Sequence, residues 1–224
     1  GYYTDVSLDD GFEARSIQDI AAEIVADIVQ GVGHTGVRAG LIGEVGTSSP
    51  ITTREIKSLR ASVRAQRATG AALMVHPFPW GREGHRILDI VAEEGGQSDR
   101  TILCHMNASW FDVPYQTSLA DRGAVLAYDM LGINHFYPPH MAAPGEIPAL
   151  EAIAHLIELG YLDRLLLSQD VFLKMMLCTY GGHGYAHILA NLPPLFRSAG
   201  VTAEHLEVMM VRNPARLLAL EVAV

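Results

Sequence analysis

The chain has 224 residues, 49% of them apolar, and a formal charge of -9, which suits one large domain with a sizeable core. An acidic balance with no Lys/Arg cluster excludes a surface built to neutralise nucleic-acid phosphate or an anionic membrane, leaving a small-molecule substrate and at most a second copy of the chain, in a homodimer, as expected partners. Cys104 and Cys178 are too few for a disulfide framework. No apolar run approaches the ~20 residues of a membrane span, and the first residues lack a signal peptide's basic and apolar regions, so the expected compartment is the cytoplasm.

Ile17, Ile20, Ala21, Ile24 and Ile28 recur at helical spacing, with Ser16 and Asp19 placed as a capping box and Gly31 at the stop, which predicts a helix over residues 16–30. A short apolar run from Ala39 to Gly46 follows as a strand, and Thr52 with Glu55 opens a second capped helix that runs to Gly70. The alternation continues with a strand over Ala71 to His76, a helix over Gly84 to Glu94, a strand over Thr101 to His105 and a short helix over Tyr115 to Arg122. Then come a strand at Ala124 to Asp129, a helix from Ala149 to Leu159 closed by Gly160, and a strand from Arg164 to Asp170. A helix over Ala186 to Ser198 is kinked or broken at Pro193-Pro194, and helical material from Thr202 to Leu220 is interrupted at Asn213-Pro214.

Strand-helix alternation with continuously apolar strands indicates parallel strands buried on both faces, in a doubly wound sheet or a barrel. Glu44, His76, His105 and Asp129 are spaced by 32, 29 and 24 residues, close to the roughly 31 per unit of a (β/α)8 barrel of about 250 residues. The expected fold is therefore α/β, a TIM (β/α)8 barrel, with residues 1–224 in a single barrel domain. Gly31-Val-Gly-His-Thr-Gly36 satisfies G-x-G-x-x-G but follows a helix and precedes a strand, the reverse of a dinucleotide site, and reads as a helix stop and loop. Gly181-Gly-His-Gly-Tyr185 lacks the Lys-Ser/Thr ending of a phosphate loop and remains a candidate substrate loop.

Four apolar strands end in residues able to bind metal: Glu44, His76, His105 and Asp170. In a parallel barrel the C-terminal strand ends open on one rim, where active sites lie. Two imidazoles and two carboxylates suit Zn²⁺, Mn²⁺ or a similar divalent ion, and hydrolysis is the chemistry expected of them.

The segments Gly40-Leu-Ile-Gly-Glu-Val-Gly-Thr47, Met74-Val-His-Pro77, Leu103-Cys-His105, Ala127-Tyr-Asp129, Ser168-Gln-Asp170, Tyr180-Gly-Gly-His-Gly-Tyr-Ala-His-Ile188 and Arg212-Asn-Pro214 together resemble the phosphotriesterase-related branch of the amidohydrolase superfamily, end to end. That branch holds phosphotriesterase homologues, an acyl-taurine amidase and proteins described as binding resiniferatoxin, so it is functionally mixed. The resemblance implies two divalent metal ions, Zn²⁺ first and Mn²⁺ or others as alternatives. It implies that Glu44, ending strand four, bridges them where phosphotriesterases proper use a carboxylated lysine. His76 and His105, ending strands five and six, then hold the more exposed ion. Asp170, ending strand eight, is the ligand of the buried ion and takes a proton, and Asp129, after strand seven, relays it. Should a carboxylated lysine be needed instead, Lys57 and Lys174 are the candidates.

The sequence departs from that family in one respect: no His-x-His occurs in it, where the first strand should carry one for the buried ion. Gly1-Tyr-Tyr3 resembles the end of the third strand, so the chain is expected to represent the end of strand three through strand eight, with the N-terminal strands missing or, as the alternative, supplied by a partner chain or second segment. Tyr3, His183 and Tyr185 are expected to contact substrate, with Tyr2 and Lys174 as weaker candidates and Trp80 and Trp110 as apolar walls. His34, His85, His135, His140, His155, His187 and His205 are read as surface or core residues. The expected function is metal-dependent hydrolysis of an ester, lactone, amide or phosphotriester. The alternatives are a small-molecule binding protein without turnover on the same barrel and, less directly, a single-metal lyase or isomerase.

Overall fold

The computed structural model describes residues 2–133, 136–137, 141–142 and 145–220, and its chain divides into two compact units. The first is Gly1–Cys104 with Asp121–Val125 and Ala215–Val224, and the second is His105–Ala120 with Leu126–Pro214. The principal sheet has five strands, in the order Ile42–Thr47, Leu73–Pro77, Thr101–Leu103, Val125–Tyr128 and Leu165–Leu167.

In the first unit the capping signals read from sequence are all used. Ser16 accepts from the Asp19 amide and Asp19 reaches back to Ser16, starting helix α1 (Ile17–Val29), whose Ile20, Ala21, Ile24 and Ile28 are buried. Strand β1 (Ile42–Thr47) leads into α2 (Thr53–Thr69), capped by the Thr52/Glu55 box and ended by Gly70 in the left-handed region at φ 70°. Strand β2 (Leu73–Pro77) runs parallel to β1, pairing Val45 with Val75 and Gly46 with His76, and parallel to β3 (Thr101–Leu103) on its other side. Helix α3 (Gly84–Glu93) connects those two strands. Val45, Leu59, Leu73, Val75, Ile87, Leu88 and Leu103 are wholly shielded from solvent, each worth about 1.5–3 kcal/mol of burial before chain entropy is charged against it.

Helix α4 (Val113–Asp121) and strand β4 (Val125–Tyr128) fall mostly in the second unit. Tyr128 is fully buried with its hydroxyl donating to Gln116 Oε1 at 2.5 Å, and burial pushes its phenol well above the usual range. A two-stranded antiparallel ribbon of β5 (Phe136–Tyr137) and β6 (Met141–Ala142) follows, which the sequence pattern did not foretell. Helix α5 (Glu146–Glu158) leads to β7 (Leu165–Leu167), parallel to β4. The Asn213 side chain donates to the carbonyls of Leu162 (3.0 Å) and Leu165 (2.9 Å), so the Asn of the Arg-Asn-Pro motif clamps the start of β7.

Several boundaries differ from the sequence reading. The helix expected over residues 186–198 is two helices, α6 (His187–Ala190) and α7 (Pro193–Ser198), because Pro193 lacks the amide that would continue α6 but is accommodated in a first turn. The terminal helical stretch is α8 (Ala203–Glu207), a π-helical turn at Val208–Arg212 and α9 (Asn213–Leu218). Residues Gly31 to Gly36 form the expected loop, closed by the Val32 amide on the Val37 carbonyl at 2.9 Å. Cys104 is buried, Cys178 is exposed, and both are free thiols. No described helix is long and apolar enough to cross a membrane. Gly1, His135 and His140 lie outside the described residues.

Candidate functional site

Glu44 sits in the middle of β1, and the glycine before it is dictated by a close approach, since a Cβ on Gly43 would meet the Met74 carbonyl oxygen and Cβ at 2.8 Å. The half-exposed Glu44 carboxylate places Oε1 3.5 Å from Nδ1 of His76, near the end of β2. On the other side of that ring, the Tyr3 hydroxyl is 2.9 Å from His76 Nε2, the two rings lying 4.8 Å apart.

Tyr3 is held there by its backbone. Tyr2 and Tyr3 form no regular strand, yet the Gly46 amide donates to the Tyr2 carbonyl at 3.1 Å, and a Cβ on Gly46 would come within 2.6 Å of the Thr4 nitrogen. Glu55, shielded from solvent, secures the next residues: its carboxylate accepts from Asp5 N (3.0 Å), Ser48 N (2.9 Å), Ser48 Oγ (2.7 Å) and Thr52 N (2.9 Å). Burial pushes this carboxyl up, and the hydrogen bonds from Ser48, Thr52 and Asp5 overcome that and hold it below its ordinary value. The Thr52-x-x-Glu55 signal predicts only a helix start; the further partners of Glu55, Ser48 in the preceding loop and Asp5 from distant chain, lie outside that four-residue pattern.

Strand β3 stops at Leu103, two residues short of the expected His105. The Cys104 amide still donates to the Val75 carbonyl at 3.0 Å, and then His105 turns into the left-handed region (φ 61°, ψ 31°), which a non-glycine residue adopts only at a cost. Asp129 holds it in that conformation, Oδ1 accepting from the His105 amide at 2.8 Å and standing 3.0 Å from His105 Nδ1, with both residues buried. A carboxylate only accepts, so Nδ1 carries the hydrogen and Nε2 keeps its lone pair. One donor atom from each of Glu44, His76 and His105 lies within 4.8 Å of the others. Two imidazoles and a carboxylate are a donor set fit for a divalent ion of the zinc type, and such backing of a histidine by a carboxylate is what orients ligating imidazoles.

Asp170 falls three residues beyond β7, not at its end, and is not one of that group of three. It lines a cavity of about 10 Å³ together with Gly132, Gln169, Met176, His183 and Gly184. His183 is exposed and its ring stacks on His187 at 4.1 Å, while Tyr185 is 74% exposed. Tyr2 bonds to Glu23 and Arg15, and Lys174 Nζ lies 4.5 Å over the Tyr180 ring. Lys57 Nζ donates to the carbonyls of Phe12 (3.1 Å) and Glu13 (3.0 Å). Trp80 and Trp110 are half-buried, each edge-on to a neighbouring phenylalanine, Phe78 and Phe111. Of the histidines set aside as surface or core, His187 is buried, whereas His34 and His155 are exposed and His85 and His205 half-buried.

Residues 1–218 match the profile of the phosphotriesterase family. An N-acetyltaurine hydrolase of Danio rerio is 33% identical over 221 residues, 97% of this chain and 63% of that protein. The crystal structure of a resiniferatoxin-binding protein from Rhodobacter sphaeroides is 47% identical with a TM-score of 0.95, covering 97% of this chain and 61% of that one. A phosphotriesterase homology protein from Escherichia coli, solved with phosphate in its active site, is 28% identical with a TM-score of 0.89, covering 98% of this chain and 73% of that one. The chain thus spans less than two thirds of the length of the first two.

Proposed function

This chain belongs to the phosphotriesterase family, and on that premise we propose that it is part of a divalent-metal-dependent hydrolase of small molecules built on a TIM (β/α)8 barrel. The observation that carries the reading is the group of Glu44, His76 and His105, whose donor atoms lie within 4.8 Å of one another. Divalent ions held there, Zn²⁺ or Mn²⁺, supply polarisation of a scissile C=O or P=O and lower the pKa of water to about neutral.

The chain's own residues divide the remaining work. Glu44 brings a carboxylate that is charged without prior carboxylation and has two oxygens to share between ions. His76 and His105 offer neutral imidazole nitrogens. Asp129 keeps the His105 ring in the tautomer whose hydrogen is on Nδ1, through the bond at 3.0 Å. Tyr3, 2.9 Å from His76 Nε2, sits where it can donate to a substrate oxygen once that ring nitrogen is engaged elsewhere. Asp170 is assigned a ligand's place and the acceptance of water's proton, by its match to the family's motif. His183 and Tyr185 are assigned to the substrate's non-reacting end.

Related hydrolases act on amide bonds, and the hydrolytic chemistry extends to esters, lactones and phosphotriesters. A panel of N-acetyltaurine, p-nitrophenyl acetate, δ-valerolactone and a diethyl aryl phosphate, assayed after chelation and after return of Zn²⁺ or Mn²⁺ to the protein that contains this chain, tests the proposal. Turnover of at least one, abolished by chelation and restored by metal, is expected. Likeness to a resiniferatoxin-binding protein at 47% identity favours a second reading, binding without turnover. Saturable binding of a substrate analogue with no hydrolysis under any metal condition selects it.

A further inference from the structure

In the sequence His187 reads as one more core or surface histidine, but its surroundings in the second unit are specific. Its ring is buried. Nε2 lies 3.0 Å from Glu146 Oε1 at the start of α5, and Nδ1 lies 3.0 Å from Asn191 Nδ2 at the end of α6. The carboxylate only accepts, so the hydrogen resides on Nε2, and the Asn191 amide donates to Nδ1. Both ring nitrogens are therefore used and the ring plane is fixed. Glu146 Oε1 also accepts the Gly132 amide at 2.9 Å, and Gly132 (φ 90°) has to lack a side chain, because a Cβ there would stand 3.0 Å from His187 Cδ2.

On the face of this immobilised ring lies His183, stacked at 4.1 Å with 21° between planes. The backbone of His183 is pinned as well: Cys178 Sγ donates to its carbonyl at 3.3 Å. On the next residue Gln169 Nε2 donates to the Gly184 carbonyl at 2.7 Å, while the Gly184 amide donates to the Met176 carbonyl at 2.8 Å. The backbone under this exposed imidazole is thus fixed, and its ring rests on His187. His183 lines, with Asp170 and Gly132, a cavity of about 10 Å³, the room that one water requires.

We propose that His187 is a positioning residue, which through its stacked face fixes the ring of His183 beside the Asp170 cavity so that His183 meets a substrate's polar end in one orientation. The functional half of this inference rests on the hydrolase reading; the structural half does not. Stacked aromatic pairs in this geometry are worth roughly a threefold to tenfold change in an equilibrium, and that is the change expected in KM, with kcat held.

The test pairs two substitutions in the metal-loaded full-length protein. His187→Gln keeps an amide donor for Glu146 and removes the stacking face, whereas His187→Phe keeps the face and removes the hydrogen bonds. In ¹⁵N-histidine correlation spectra the wild type is expected to show His187 as the Nε2–H tautomer and the His183 ring protons shifted upfield by stacking. That upfield shift disappears in His187→Gln and persists in His187→Phe. On whichever panel compound the wild type hydrolyses, His187→Gln raises KM threefold to tenfold, His187→Phe restores it, and adding His187→Gln to His183→Ala raises KM no further. Unchanged His183 ring shifts in a folded His187→Gln protein overturn the proposal, as do additive KM effects in the double variant. Absence of any wild-type turnover with the spectroscopic pattern intact counts against the hydrolase reading and leaves the positioning of His183 supported.

Discussion

Replacing Glu55 by Gln removes one negative charge and turns one oxygen into a donor at a position where four hydrogen bonds converge. Oε2 receives the Ser48 and Thr52 amides, so the new NH₂ group takes the Oε1 place, where the Ser48 hydroxyl can rotate to accept it but the Asp5 amide cannot. The loss is then one charge-assisted bond outright, one orphaned amide and weaker versions of the other bonds, about 2–4 kcal/mol together. The effect has a pH signature. The folded carboxyl lies below its ordinary value, so its stabilisation is complete above the unfolded carboxylate pKa of about 4.3 and is lost as the pH falls through the folded value. Urea unfolding of wild type and Glu55→Gln at neutral pH and in steps below pH 5 measures both. A neutral-pH difference under about 0.5 kcal/mol, or a gap that fails to narrow on acidification, would show that the Glu55 carboxylate does not stabilise the fold through these bonds.

Asp129→Ala leaves the buried His105 amide and Nδ1–H without their acceptor and is expected to cost about 1–3 kcal/mol and to weaken metal binding about 10–100-fold. Asp129→Asn, which retains an acceptor oxygen, keeps most of both, and the comparison is made by thermal melting and metal titration. His76→Ala is expected to lower metal content as well as activity, measured by elemental analysis; metal retained with activity lost would mean that His76 is not a ligand. Glu44 arrives charged at neutral pH, so reconstitution of the apo-protein with Zn²⁺ or Mn²⁺ is expected to proceed equally with and without bicarbonate. A strong bicarbonate requirement would assign the bridging role to a carboxylated lysine, against which the engagement of Lys57 Nζ by two carbonyls already argues.

The alternation of elements was legible because its signals are local: the Ser16/Asp19 and Thr52/Glu55 boxes and the left-handed Gly70 were visible within four residues of the turns they form. Strand ends were less so. His105 and Asp170 read as strand termini because the apolar runs before them are continuous, but the regular strands β3 and β7 end at Leu103 and Leu167, one residue before amides of Cys104 and Ser168 that still bond to the Val75 and Tyr128 carbonyls. The conformation of His105 depends on Asp129, 24 residues away, and no local pattern encodes it. His183 stood out through its glycine-rich surroundings; His187 did not, since Glu146 is 41 residues distant.

Anomalous scattering on crystals of the metal-loaded full-length protein, recorded on both sides of the zinc absorption edge, shows whether Glu44, His76 and His105 hold a metal ion. An anomalous peak is expected within about 2.0–2.3 Å of a Glu44 carboxylate oxygen and a ring nitrogen each of His76 and His105. Density free of any anomalous peak at those three side chains, in a protein that nonetheless hydrolyses its substrate, would contradict their assignment as ligands.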